Sequence, residues 1–217
     1  MYLIGLTGSI GMGKTLTASL FEAAGVPRYD ADAAIHALYA PGGDAVAPIA
    51  ELFPDAIVDG AVDRGILGQL VLKDADKLKQ LEALVHPLAG ASQMAFLSRH
   101  AEAGAPMALL DIPLLYETGG DGFVDCVVVV SAPYEVQRAR VLARPGMSEE
   151  KFLDILGKQV PDAEKRRRAD FIVDSSVSVE DARRQIHDIL AALEGREGTA
   201  LDARRQRYEQ REAERGA

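Results

Sequence analysis

The sequence predicts an α/β protein, a three-layer α/β/α sandwich on a parallel sheet of five strands. Three observations carry that expectation. The chain opens on a short apolar run, Tyr2-Leu-Ile-Gly-Leu6, which passes through a glycine-rich loop into a helical pattern. Further short apolar runs recur at 26–30, 106–112, 125–131 and 170–174, separated by helical patterns. The run at 125–131 holds four consecutive valines, as a strand buried on both faces does.

The first strand leads into Thr7-Gly-Ser-Ile-Gly-Met-Gly-Lys-Thr15, and Leu16 to Ala24 reads as a helix that stops at Gly25. Gly8 to Thr15 fits G-x-x-x-x-G-K-[ST], a phosphate-binding loop in the strand-to-helix setting that motif requires. The glycines let backbone N–H groups converge on phosphate oxygens, and the helix N-terminus adds its positive dipole end. Lys14 reaches the terminal phosphates and is the expected catalytic cation, while the Thr15 hydroxyl is placed to ligate Mg²⁺.

The second strand runs into Asp30-Ala-Asp32, beyond a strand's carboxyl end, where ligands bind in open α/β sheets. Helix capping by one aspartate, with the other solvated, is the competing reading. Residues 45–105 are mostly helical in pattern, with no obvious strand; Arg64 reads as exposed, and Pro87 should kink or end a helix near His86. A helical stretch this long exceeds a simple crossover, so it reads as an insertion that covers the substrate. Asp111 ends the third strand, either as the acid that holds Mg²⁺ through water or as a strand-end hydrogen-bonding residue. Pro133 to Arg144 reads as a helix with Gln137, Arg140 and Arg144 on one face, candidate phosphate clamps beside the loop. Ser148-Glu-Glu150 starts a further helix, and residues 145–168 read as a mobile lid. Ser178 with Asp181 opens the last helix, whose stripe Val179, Ala182, Ile186, Ile189, Leu190 and Leu193 belongs in the core. From Arg196 the tail mixes six arginines with five acids and reads as a frayed charged helix or disorder.

A chain of 217 residues makes one large domain, or one core with insertions. Lys+Arg 24 against Asp+Glu 33 gives a net charge of −9, which argues against broad binding to nucleic acid or anionic membrane. One cysteine, Cys126 inside the valine run, reads as a buried core thiol and suits a reducing compartment. The N-terminus goes directly into the strand and loop, which leaves no room for a signal peptide. No apolar stretch approaches transmembrane length, so the expected location is the cytoplasm.

These residues resemble the dephospho-CoA kinase family from residue 2 to about 175. The resemblance is carried by Gly5 to Thr15, Asp30-Ala-Asp32, Asp63-Arg64, His86-Pro87, Pro113-Leu-Leu-Tyr-Glu117, Gln137-x-x-Arg140-x-x-x-Arg144, Gln159 and Ala169-Asp170. The loop alone would fit many families; the other motifs in that order are more specific. The resemblance implies a single P-loop kinase domain over 1–217. Its core would be 1–32, 105–144 and 169–195, its helical CoA-binding insertion 33–104, its lid 145–168 and its tail 196–217. It implies transfer of the γ-phosphoryl of ATP to the 3′-hydroxyl of dephospho-CoA, with Mg²⁺, in a monomer or small homo-oligomer.

The implied ATP site is Gly8, Gly11, Met12, Gly13, Lys14, Thr15 and Leu16, with Arg140 and Arg144; Arg140 is also catalytic. The implied acceptor site is Thr7, Asp32, Arg64, His86, Pro113, Leu115 and Glu117, with Asp32 as the base and Asp30 structural. Thr15 and Asp111 are the candidate metal residues. Met12 stands where the family usually has Ser, Thr15-Leu16 where it has Ser-Thr, and Ser175 where Asn is common. Two alternatives remain: a kinase of nucleoside monophosphates, and a nucleotide-binding switch. The second is disfavoured because its guanine-reading motif needs asparagine, and the chain has none.

Overall fold

The computed structural model describes residues 1–216; Ala217, the end of the charged tail, lies outside them. In chain order the elements begin with β1 (Tyr2–Thr7), α1 (Lys14–Ala23), β2 (Arg28–Asp30), α2 (Ala31–Tyr39) and α3 (Val46–Leu52). There follow β3 (Ile57–Val58), β4 (Ala61–Val62), α4 (Arg64–Val71), α5 (Ala75–Glu102), β5 (Met107–Asp111) and β6 (Cys126–Ser131). The chain then forms α6 (Tyr134–Leu142), α7 (Glu149–Gly157), α8 (Asp162–Arg168), β7 (Phe171–Asp174), α9 (Val179–Leu193) and α10 (Ala200–Gly216). It divides into two compact units, Met1–Tyr29 with Arg99–Ala217, and Asp30–Ser98.

The first unit is built on a parallel five-stranded sheet in the order β2-β5-β1-β6-β7. β1 is central and wholly buried, as its unbroken apolar run requires. The valines of β6 divide between the faces. Val128 and Val130 join Ile4, Leu6, Phe21, Ile186 and Leu193 under α1 and α9, while Val127 and Val129 pack with Leu115 and Tyr116 on the other face. Cys126 is buried in the first of these clusters, and burial pushes its thiol up to about 12. The α9 stripe buries Ala182, Ile186, Ile189 and Leu193, but Val179 at its start is exposed. Ser178 caps this helix by accepting the Asp181 N–H at 3.0 Å.

The second unit has its own core of Leu38, Tyr39, Ile49, Phe53, Val62, Leu67, Leu81 and Val85. It differs from the expectation in two places. β3 and β4 form a small antiparallel hairpin where no strand was expected. Asp59 (φ 50°) and Gly60 (φ 77°) form its two-residue turn, so the Asp-Gly pair between short apolar residues was the missed signal. Pro87 does not end a helix: α5 runs from Ala75 to Glu102 straight through it. Proline there removes one backbone hydrogen bond, but the helix is 28 residues long and buries Leu81, Val85 and Leu97, so the flanking turns hold it.

Two expectations in the first unit are also corrected. α6 stops at Leu142 with Ala143 as its cap, so Arg144 lies in the turn beyond the helix rather than on the face of Gln137 and Arg140. The tail takes the helical one of its two alternatives, and its first turns are anchored rather than frayed. The Asp125 carboxylate accepts the N–H groups of Thr199 (2.7 Å) and Ala200 (2.9 Å), and its other oxygen accepts Leu3 N–H at 2.7 Å. Arg204 Nε donates to the Phe123 carbonyl, and Arg207 stacks 4.4 Å from the Phe123 ring centre. A side chain at Gly198 would meet the Met1 carbonyl at 2.6 Å, so the tail docks through a glycine-sized gap.

Candidate active site

The phosphate loop joins the carboxyl end of β1 to α1. Gly11 (φ 79°) and Gly13 (φ 89°) take left-handed conformations, and a Cβ at Gly11 would lie 2.5 Å from Val141 Cγ2. α1 starts at Lys14 with no side-chain cap and no acid in its first turn. Its first intrahelical bond at the turn is Thr17 N–H to Gly13 O (3.1 Å), so the N–H groups of Lys14, Thr15 and Leu16 have no partner within the helix. Backbone donors, the helix dipole and one lysine converge here, which makes an anion site.

Neighbouring elements hold the loop in shape. Gln137, buried on α6, donates to Ile10 O at 2.8 Å, and Gln159 Oε1 accepts Ile10 N–H at 3.0 Å. Met12 is buried; its sulfur accepts Ala132 N–H and its carbonyl accepts Ser175 Oγ at 2.6 Å. Arg140 reaches the same corner, with NH1 on Ser175 Oγ (2.9 Å) and NH2 on Ser175 O (2.7 Å). Its NH1 is 3.5 Å from where a Gly13 side chain would begin, so the guanidinium stands beside the loop. A largely apolar cavity of about 440 Å³ flanks Met12, between Tyr134 and Gln137 of α6 and Leu153, Leu156 and Gly157 of α7.

Asp111, fully buried at the end of β5, pairs with both Lys14 and Arg28. Parallel register puts Asp111 level with Leu6, one residue before the end of β1, which brings it within reach of Lys14. Arg28 escaped the sequence reading because a lone arginine inside a short strand carries no pattern.

The remaining residues expected around the acceptor fall as follows. In the first unit, Thr7 is buried and donates to Pro113 O at 2.9 Å, tying the start of the loop to the turn after β5. Leu115 is fully buried, its side chain against Gly5 and Gly120 and its carbonyl accepting Gly120 N–H at 2.7 Å. Glu117 Oε1 accepts Val160 N–H (2.8 Å) and lies 2.8 Å from Lys165 Nζ. Burial raises this carboxyl, but the hydrogen bonds from Lys165 and from backbone N–H groups outweigh that and hold it below its ordinary value. Lys165, within the basic run Glu164-Lys-Arg-Arg-Arg168, has no exposed side-chain surface. Gly8 packs against the Val130 carbonyl, Leu16 and Thr15 are exposed, and Arg144 is exposed.

In the second unit, Asp30 caps α2 by accepting Ala33 N–H at 3.0 Å, and Asp32 is exposed in the first turn. Arg64 is exposed at the start of α4, which Asp63 caps through Ile66 N–H at 2.9 Å. His86 is exposed on α5.

Residues 2–181 match the dephospho-CoA kinase family. A dephospho-CoA kinase of Mesorhizobium japonicum is 57% identical over 200 residues, covering 92% of this chain and all of the relative. One from Rhodopseudomonas palustris is 54% identical over 192 residues, 88% of this chain and 96% of the relative. Among solved structures, one from Thermus thermophilus superposes with a TM-score of 0.77 at 40% identity, covering 89% of this chain and 98% of its own. A dephospho-CoA kinase from Campylobacter jejuni shares the fold, with a TM-score of 0.60 at 22% identity over 88% of this chain and 96% of its own.

Proposed function

Because the chain belongs to the dephospho-CoA kinase family, we propose that it transfers the γ-phosphoryl group of ATP to the ribose 3′-hydroxyl of dephospho-CoA, giving coenzyme A and ADP. The observation that carries the reading is the loop itself: an uncapped helix start, Lys14 at its first residue and Arg140 beside Gly13. The first unit supplies the nucleotide end. Backbone N–H groups of Lys14, Thr15 and Leu16 hold the phosphates, and Lys14 and Arg140 neutralise charge as the γ-group passes between oxygens. Arg144, exposed beyond α6 and just before the lid, residues 145–168, adds a second cation.

The Thr15 hydroxyl and the Asp111 carboxylate are hard oxygen donors of the kind Mg²⁺ takes. Thr15 is exposed, and Asp111 shares its Oδ1 with a lysine that has phosphates to move to, so both fit the role. Among the described residues no group of three or more His, Cys, Asp or Glu forms a metal cluster, so the ion would depend on phosphate oxygens for most of its ligands. Held there, it would supply positive charge to offset that of the phosphates.

The acceptor hydroxyl is a weak nucleophile and needs a base. Asp32 takes that role in this reading: its carboxylate is exposed two positions after β2, while the capping of α2 falls to Asp30. The ribose 3′-oxygen forms its bond to the γ-phosphorus, its proton passes to Asp32, and the electron pair of the broken bond leaves on ADP. Arg64, His86, Thr7 and the turn 113–117 bind the remainder of the acceptor. The reading includes a cytoplasmic enzyme, a monomer or small homo-oligomer, that takes ATP and dephospho-CoA and neither nucleic acid nor membrane; among the described residues no helix is long and apolar enough to cross a membrane. An ATP-dependent assay with dephospho-CoA, adenosine and AMP side by side tests it. Preference for dephospho-CoA is expected, and preference for AMP would move the chain to the nucleoside monophosphate kinases.

A further inference from the structure

The two oxygens of Asp111 face different cations. Oδ1 takes Lys14, and Oδ2 takes Arg28 through Nε at 3.1 Å and NH2 at 2.7 Å. Strand order explains the meeting. β5 lies between β2 and β1, so a residue at its end is reached from one side by Arg28 of β2 and from the other by Lys14, just past β1. Asp111 has no exposed side-chain surface, and both cations are only 16% exposed.

A carboxylate this buried needs a cation at hydrogen-bonding distance at all times. Lys14 has a second destination, the nucleotide phosphates, and going there removes a cation from Asp111. Arg28 belongs to a strand, not to the loop, and is under no such demand. Its guanidinium gives two donors to one oxygen.

We propose that Arg28 is a positioning residue for phosphoryl transfer, a resident counter-cation that keeps Asp111 compensated and oriented so that Lys14 is free to move to the phosphates. The inference rests on reading 8–15 as the nucleotide loop, although Arg28 itself lies outside that loop. Without Arg28 and before a divalent ion arrives, each approach of Lys14 to phosphate would strand a buried anion, and binding of metal-free nucleotide would weaken even though no phosphate contact had been deleted.

The test is equilibrium binding of ATP by calorimetry, with no acceptor and with divalent metal removed by chelation, on variants shown to be folded by circular dichroism. Binding of ATP by the wild-type chain checks the loop reading by itself. Arg28→Ala and Arg28→Gln are expected to weaken ATP binding by about tenfold or more, and Arg28→Lys by less than about threefold. In an Asp111→Asn background, Arg28→Ala should change affinity by less than about twofold, because no anion remains to compensate. That background also serves if the single Arg28→Ala variant does not fold. An Arg28→Gln variant that binds ATP as the wild type does, or a loss from Arg28→Ala that persists undiminished beside Asp111→Asn, would overturn the proposal.

Discussion

Glu117→Gln separates two roles for a residue of the Pro113–Glu117 motif. The carboxylate holds the N–H of Val160 and the ammonium of Lys165, both at 2.8 Å. Lys165 has no exposed surface and, apart from this ion pair, no hydrogen-bond partner among the described residues. Glutamine keeps an acceptor for Val160 but leaves the ammonium buried without its anion. Breaking a buried pair in this way costs about 3–5 kcal/mol. Glu117 retains 13% exposure, which admits some water, so the lower end, about 3 kcal/mol, applies. For a chain of 217 residues that is a fall in Tm of about 6–12 °C. Glu117→Gln with Lys165→Met removes both charges and should recover most of the loss. The pH dependence follows the same carboxyl. Its folded value is held below the ordinary 4.5, so its contribution is fully present above that pH and is lost as pH falls through the lower folded value. Glu117→Gln should therefore flatten that part of the acid limb. Thermal melts across pH check both points. A single variant within about 1 kcal/mol of wild type, with the acid limb unchanged, would refute the clasp and leave Glu117 available to the acceptor.

Lys14→Ala should lower turnover by orders of magnitude; a variant within about tenfold, roughly 1.4 kcal/mol, removes Lys14 from the reaction. Asp32→Asn keeps size and an acceptor oxygen but loses the base, so steady-state kinetics should show a large drop in kcat while ATP still binds; normal transfer, with Asp30→Asn impaired instead, would reassign the base. Ser175→Ala removes the hydroxyl that joins Arg140 to Met12 O, while Arg140 keeps its bond to the Ser175 carbonyl. About 1 kcal/mol is expected, about fivefold in kcat/KM for ATP, and no change would show that Arg140 is held otherwise. Ending the chain after Glu197 removes the Thr199 and Ala200 partners of Asp125 and should lower Tm without changing KM for ATP; a change in KM with Tm unaltered would tie α10 to the site.

The fold was legible because its signals are local. The apolar runs gave all five strands of the main sheet within two residues at either end, and the motif at 8–15 gave the turn between β1 and α1. Ser178, Ser148 and Asp30 cap helices as their spacing suggests. Other features were hidden because they depend on partners distant in sequence. Arg28 meets Asp111 across 83 residues, and Lys165 meets Glu117 from the opposite end of the lid region. The tail looked unanchored because its anchor, Asp125, sits in an unrelated strand approach 74 residues earlier. Pro87 misled for the converse reason: a local rule about one hydrogen bond gave way to the packing of a long helix. Of the expected acceptor residues, Leu115 has its side chain in the core and Glu117 is engaged in the clasp, whereas Asp32, Arg64 and His86 are exposed.

The central claim is the position of the new phosphate, and one measurement reaches it. Purified chain is incubated with ATP, Mg²⁺ and dephospho-CoA, and the product is examined by phosphorus and proton NMR. The account predicts stoichiometric ADP and a single new phosphomonoester on the ribose 3′-oxygen. A phosphate on any other oxygen, or ADP formed with free phosphate and unaltered dephospho-CoA, would contradict it.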